Sequence, residues 1–217
     1  MEDTRADPAA PARPKPFLRR WFLWVTLGES AGFLAPAVVA VFVIIPDTAG
    51  ALAWLAVAGV AEGTVLGLAQ AHVLKRELPG LRMRSWTVRT AAGAALAWLI
   101  GLAPSTFAAQ WQAWPPVLQL AVAVPGALLL LCAIGLAQWP ELRRHVARSG
   151  LWVAGNALAW CVGLGLFFAV APPLWQEGQP STTVIAIGVA AAILMAAGMA
   201  LVTGLVMDRL LAARGNT

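Results

Sequence analysis

The chain of 217 residues contains no tyrosine, two cysteines and two histidines, and only 12% of it is charged. Each scarcity removes a class of function. Cys132 and Cys161 fall inside long apolar runs, where a free cysteine behaves as a small buried hydrophobe, so they imply neither a disulfide framework nor a redox compartment. His72 and His145 stand at or beyond the ends of such runs, so no deep histidine is available for intramembrane hydrolysis. There is no H-E-x-x-H, no C-x-x-C, no cluster of three metal ligands and no glycine-rich loop followed by lysine; neither a metal site nor a cofactor is expected. Gly28-Glu29-Ser30-Ala31-Gly32 matches G-x-S-x-G, but that elbow works on a strand-to-helix turn with Asp and His downstream. With no nucleophile, base and stabiliser converging, the sequence assigns no catalytic residue and points away from an enzyme.

What the chain has in abundance is apolar surface: 60% of residues are hydrophobic and the mean hydropathy is +0.75, more than a soluble globular chain needs. Crossing a hydrocarbon core takes roughly 20 helical residues. Runs of that kind fall at about 21–45, 50–74, 86–103, 117–139, 150–171 and 182–207. Pro46-Asp47, Pro79-Gly80, Pro104, Pro115-Pro116 and Pro172-Pro173 punctuate them, and helices are expected to end near those points. The expected fold is an all-α integral membrane protein of six transmembrane helices. Residues 1–20, with four prolines among charges and alanines, read as a disordered tail. Residues 21–211 form the transmembrane domain and 212–217 a C-terminal tail. The first span is too long for the apolar region of a cleavable signal and serves as its own insertion signal.

The basic residues set the expected orientation, because Lys and Arg near membrane ends stay on the cytoplasmic side. Fourteen of the fifteen precede the first run, follow the sixth, or lie in the second and fourth connections, and Arg89 lies in the first turn of the third run on the same side. The connections at 46–49, 104–116 and 172–181 hold no Lys or Arg, only Asp47 and Glu177. Both termini are therefore expected in the cytoplasm, with the chain in the plasma (inner) membrane. A net charge of +5 is explained by topology and by weak attraction to lipid headgroups, not by nucleic acid.

Eleven tryptophans accompany the missing tyrosines. Trp21, Trp24, Trp86, Trp139 and Trp152 fall at the cytoplasmic ends of the runs, and Trp54, Trp111, Trp114 and Trp175 at the opposite ends, where an amphipathic ring prefers the interface. Trp98 and Trp160 lie well inside runs and need either packing partners or a polar contact for the indole N–H, with packing the first expectation.

The chain also repeats itself. Gly67-Leu68-Ala69-Gln70 with Leu74-Lys75-Arg76 returns as Gly135-Leu136-Ala137-Gln138 with Leu142-Arg143-Arg144. Ala92-Gly93-Ala94-Ala95-Leu96-Ala97-Trp98 returns as Ala154-Gly155-Asn156-Ala157-Leu158-Ala159-Trp160, after a shorter loop. Gly204-Leu205 with Leu211 is a weaker third copy, and Trp24-Val25 echoes Trp152-Val153. The unit is one helical hairpin, and an offset of two helices makes three parallel repeats, an arrangement that also occurs in transporters. This G-L-A-Q-x-x-x-L-[KR]-[KR] signature with its following Ala-Leu-Ala-Trp resembles a group of uncharacterised bacterial multi-pass membrane proteins over roughly residues 20–212. The resemblance implies architecture and carries no activity or catalytic residue.

Glycines at fourth positions, Gly59, Gly63 and Gly67, Gly28 and Gly32, and Gly93 with Ala97 and Gly101, let helix backbones approach closely. They are expected either to pack within the chain or to meet a second copy or a membrane partner.

Charge inside a span is the most informative feature, since an acidic residue at a helix centre is expensive in lipid. Glu62 lies near the middle of the second run and Glu29 eight residues into the first. Counted from those ends, their depths differ by about 8 Å, so they are not expected to form a short-range pair. Thr26, Ser30, Gln70, Thr90, Gln138 and Asn156 are at suitable depth to surround Glu29. Gln70 and Gln138, at equivalent repeat positions, are expected to tie helix ends together. Pro36 removes the hydrogen bond to the Gly32 carbonyl on the face that carries Glu29. The candidate proton- or ligand-binding set is therefore Glu62, Glu29, Gln70, Gln138 and Asn156. The reading to be tested is a transport-like or small-ligand-binding protein; the alternative is a non-transporting scaffold or partner subunit whose carboxyls serve as interhelical hydrogen bonds.

Overall fold

The computed structural model describes residues 16–36 and 48–214. Residues 1–15 and 215–217, and the expected break at Pro46-Asp47, lie outside them. Among the described residues seven helices are bounded, in order: α1 Pro16–Gly32, α2 Thr48–Glu77, α3 Met83–Thr106, α4 Ala108–Ala113, α5 Pro116–Leu142, α6 Gly150–Leu174 and α7 Ser181–Arg214. No strand occurs among the described residues. Five of the helices, α2, α3, α5, α6 and α7, are long and apolar enough to cross a membrane. The chain is an all-α protein of multi-pass membrane character, which satisfies backbone groups within each helix where no water is at hand.

Several boundaries differ instructively from expectation. α1 begins at Pro16, five residues before the expected start, because a proline in the first turn lacks only an N–H that has no intrahelical acceptor. Arg19 and Arg20, expected in the tail, are thus helical. α1 ends at Gly32, the chain turns at Phe33 and is helical again over 34–36; residues 37–45 of the expected first span lie outside the described residues. Pro104, expected as a break, sits inside the last turn of α3, with the Phe107 N–H donating to the Ala103 carbonyl at 3.0 Å. At the other terminus α7 runs on through residues 212–214.

Neighbours in sequence are neighbours in space: α1 packs on α2, α2 on α3, α3 on α5, α5 on α6 and α6 on α7, which returns to α1. The six longer helices form a closed ring. Small residues set the approach. A Cβ on Gly63 would stand 2.7 Å from Ala91 Cα on α3, and one on Gly93 would stand 2.8 Å from Ile134 Cα on α5. Gly28, Gly32, Gly59 and Gly67 likewise face atoms of adjacent helices. These glycine faces are therefore occupied by the chain's own helices.

The packed core lies at the basic end of the ring, where Phe17, Trp21, Val25, Leu74, Trp86 and Trp152 are among its members. Toward the opposite end α5 exposes apolar side chains such as Val117, Leu120, Val124 and Leu128, as a lipid-facing helix does. Arg20 of α1 meets Glu77 of α2 at 3.3 Å, and Arg82 meets Glu141 of α5 at 2.8 Å, closing the basic end with ion pairs.

Candidate functional site

The two carboxyls expected inside spans come together. With α1 starting at Pro16, Glu29 lies thirteen residues from the helix start, and Glu62 lies thirteen residues from Lys75. Both stand about 20 Å in from the basic end, which corrects the expected depth difference. Gly32 completes the approach: a Cβ there would fall 3.0 Å from the Glu62 carbonyl oxygen and 3.1 Å from its Cα. The α1 and α2 backbones are consequently close enough for the Glu29 and Glu62 side chains to interact directly. They face one another, and neither Glu29 oxygen has a hydrogen-bond partner of good geometry in the structure. Both residues are buried, Glu29 at 0% and Glu62 at 3% exposure.

Closing a hydrogen bond between them requires a proton on one of the two carboxyls, since an ionised carboxylate only accepts. No Lys, Arg or His contributes an ion pair to either residue among the described residues. The second partner of the site is Trp98 of α3, whose indole N–H donates to Glu62 Oε2. Trp98 is therefore held by a polar contact as well as by packing, and Phe33 lies beside it with ring centroids 6.2 Å apart.

The remaining polar candidates form a separate constellation about two helical turns closer to the basic end. Gln138 of α5 donates from Nε2 to Gln70 Oε1 of α2 and to Thr90 Oγ1 of α3, both at 2.8 Å. Trp86 of α3 donates to the same Gln70 oxygen at 3.1 Å, and Trp152 of α6 donates to Gln138 Oε1 at 2.8 Å. Thr90 passes its own hydrogen to the Trp86 carbonyl at 2.9 Å. Across the ring Trp21 of α1 donates to Thr203 Oγ1 of α7 at 3.0 Å, and Thr203 donates to the Met199 carbonyl at 2.8 Å. Gln70 and Gln138 thus tie helices together and do not surround Glu29. Asn156 of α6 is buried beside Gly135 and its Oδ1 has no hydrogen-bond partner in the structure. Thr26 Oγ1 and Ser30 Oγ are also buried without one.

Trp21, Trp86 and Trp152, expected at the interface, are each fully buried. The Trp152 ring lies 6.1 Å from both of the others, so the three indoles fill the middle of the ring. They reach the centre because a Gln or Thr on a facing helix accepts each N–H, which removes the penalty of burying it. Trp24, by contrast, is exposed and packs on His72 with ring centroids 4.6 Å apart.

Three features are not evident from sequence reasoning. That the Trp98 N–H has Glu62 as its acceptor has no signal, because an indole inside a span gives no indication of which helix it faces. The ion pair of Arg82 with the buried Glu141 is hidden once every basic residue is assigned to topology. The central tryptophans do have a signal: Trp21, Trp86 and Trp152 are evenly spaced along the chain to within a single position.

Comparison with protein-family models, with curated proteins and with solved structures finds no match to this chain.

Proposed function

We propose that the chain is a small transport-like membrane protein that takes up and releases a proton at the Glu29–Glu62 pair. One observation carries the reading: two buried carboxyl groups face each other at the α1–α2 contact of the helix ring, with an indole donor and, among the described residues, no basic side chain paired with them. A pair of neighbouring carboxyls holds one proton readily and resists losing the last, since two like charges at contact repel strongly. Intramembrane carboxyls of this kind are expensive to insert and serve proton relays and ion paths in pumps and transporters.

The ring is six transmembrane spans built as three parallel hairpins, both termini are cytoplasmic, and the setting is a bacterial inner membrane. Support for the repeat comes from the packing. Gly28 of α1 packs on Leu66 of α2, and Gly93 of α3 packs on Ile134 of α5. Each glycine follows a central tryptophan by seven positions, and Leu66 and Ile134 each precede the glutamine of their copy by four. Each central tryptophan donates to the helix preceding its own around the ring, α1 to α7, α3 to α2 and α6 to α5. In this reading the tryptophan–glutamine layer closes the cytoplasmic end, about 12 Å from the carboxyl pair, and proton passage requires it to part. Gln70 and Gln138 act as the latch of that layer and not as proton ligands.

The test is proton flux into proteoliposomes under a potassium diffusion potential. Flux in the wild type that is lost in Glu62→Gln, with both proteins folded alike, supports the reading. Equal flux in both, or none in either, moves the carboxyls to the interhelical role of the scaffold alternative.

A further inference from the structure

Away from the carboxyl pair, α6 and α7 part at the basic end and leave a groove of about 400 Å³. Arg148 and Arg209 stand at its mouth, and Leu151, Leu158, Val206 and Leu210 are among the apolar residues along it. No acidic side chain lines it. The floor is the tight crossing of the two helices, where a Cβ on Gly155 would meet the Val206 methyl carbons at 2.7 Å. From Gly150 to Leu158 the apolar wall extends about 12 Å along α6 away from the charged mouth.

The corresponding place between α3 and α5 shows what this groove lacks. Arg82 precedes Trp86 by four residues, and Arg148 precedes Trp152 by four. Glu141 follows Gly135 by six residues, and Leu210 follows Gly204 by six. At the first position the Arg82 guanidinium is neutralised by Glu141, through Nε at 3.2 Å and Nη2 at 2.8 Å. At the second, leucine stands where the carboxylate would be, and the neighbouring Arg209 adds a second positive charge. Neither Arg148 nor Arg209 makes an ion pair among the described residues. This correspondence rests on the hairpin repeat proposed above; the groove and its charges do not.

We infer that the α6–α7 groove binds one anionic phospholipid of the leaflet at the basic end. Its phosphate lies between Arg148 and Arg209, and an acyl chain runs along Leu151 and Leu158. Two guanidinium groups suit a phosphate because each offers paired N–H donors in a planar fork. The apolar wall suits an acyl chain because it continues directly into the bilayer. Basic pockets between membrane helices on the cytoplasmic side recognise lipid headgroups in this way. A volume of about 400 Å³ holds a headgroup and the first part of a chain, within the ordinary range of ligand sites.

The experiment uses the full-length protein in detergent, with bound lipid counted by native mass spectrometry as phosphatidylglycerol or phosphatidylcholine is added. The expected result is one preferentially retained phosphatidylglycerol, with affinity reduced roughly 25-fold in the double variant Arg148→Gln/Arg209→Gln. The control Arg84→Gln/Arg144→Gln removes the same charge from two other exposed arginines and is expected to change binding less than about threefold. Ala154→Trp, which fills the groove and leaves both arginines in place, is expected to weaken binding as well. Equal retention of the two lipids overturns the inference, as does an equal loss in both double variants. Inorganic phosphate that competes as well as the lipid overturns it too, because the chain would then contribute nothing. None of these readouts depends on proton flux, so the groove and the carboxyl pair stand or fall separately.

Discussion

Glu29 and Glu62 meet side chain to side chain at the α1–α2 contact, although they belong to different apolar runs of the sequence. The contact is possible because Gly32 lets α1 lie against the Glu62 backbone. Each carboxyl is the other's polar neighbour, and Glu62 also accepts the Trp98 indole N–H. Glu62→Leu is therefore expected to lower stability by about 1–3 kcal/mol, the usual consequence of leaving buried polar groups unsatisfied. The double variant Glu29→Leu/Glu62→Leu removes both carboxyls and is expected to lose less than the sum of the single losses, by at least about 1 kcal/mol. Unfolding of the four proteins in mixed micelles measures the coupling, and strictly additive losses would show that the two residues act independently.

Gln138 supplies two donated bonds and accepts a third. Gln138→Leu keeps the volume and removes all three, leaving the Trp152 N–H buried without an acceptor. A loss of about 2 kcal/mol or more is expected. Trp152→Phe removes only one N–H and should cost less by the same criterion, although it also shortens the ring. Intrinsic fluorescence during thermal unfolding orders the two variants; a Gln138→Leu protein as stable as wild type would remove the layer from the stability argument.

Glycine positions separate contact from lipid exposure. Gly63→Ala would place a Cβ 2.7 Å from Ala91 Cα and 2.8 Å from the Thr90 carbonyl oxygen, so α2 and α3 must shift apart, at a cost of about 1–3 kcal/mol. Gly165→Ala meets no atom within 4 Å and gains helix propensity, so its stability should be unchanged or slightly higher. Paired melting temperatures test this, and similar losses at both sites would contradict the α2–α3 packing.

The Arg82–Glu141 pair is asymmetric: the Glu141 side chain has 0% exposure, whereas the Arg82 side chain is 54% exposed. Arg82→Ala strands a buried carboxylate with His145 3.6 Å away, while Glu141→Gln retains an acceptor for the Arg82 backbone N–H, which donates at 3.1 Å. The melting temperature is expected to fall further in Arg82→Ala than in Glu141→Gln. The reverse order would mean that the guanidinium, not the carboxylate, depends on the pair.

The helices themselves are legible in the amino-acid order. Apolar runs, proline punctuation and length place α2, α3, α5, α6 and α7 to within a few residues at most ends, because helix formation in an apolar medium is dictated locally. Small residues at fourth positions, such as Gly59, Gly63 and Gly67, mark a contact face for the same reason. Which residues share a site is a different matter, settled by packing alone. Hydropathy puts Glu29 and Glu62 at different depths because it does not register that Pro16 can open a helix through arginines. Trp21, Trp86 and Trp152 look like interface residues because an amphipathic ring at a span's end has two stable places, the headgroup region or a buried pocket with an acceptor. Gln70, Gln138 and Thr203 on facing helices settle that choice, and their proximity is a property of the closed ring, not of any one segment.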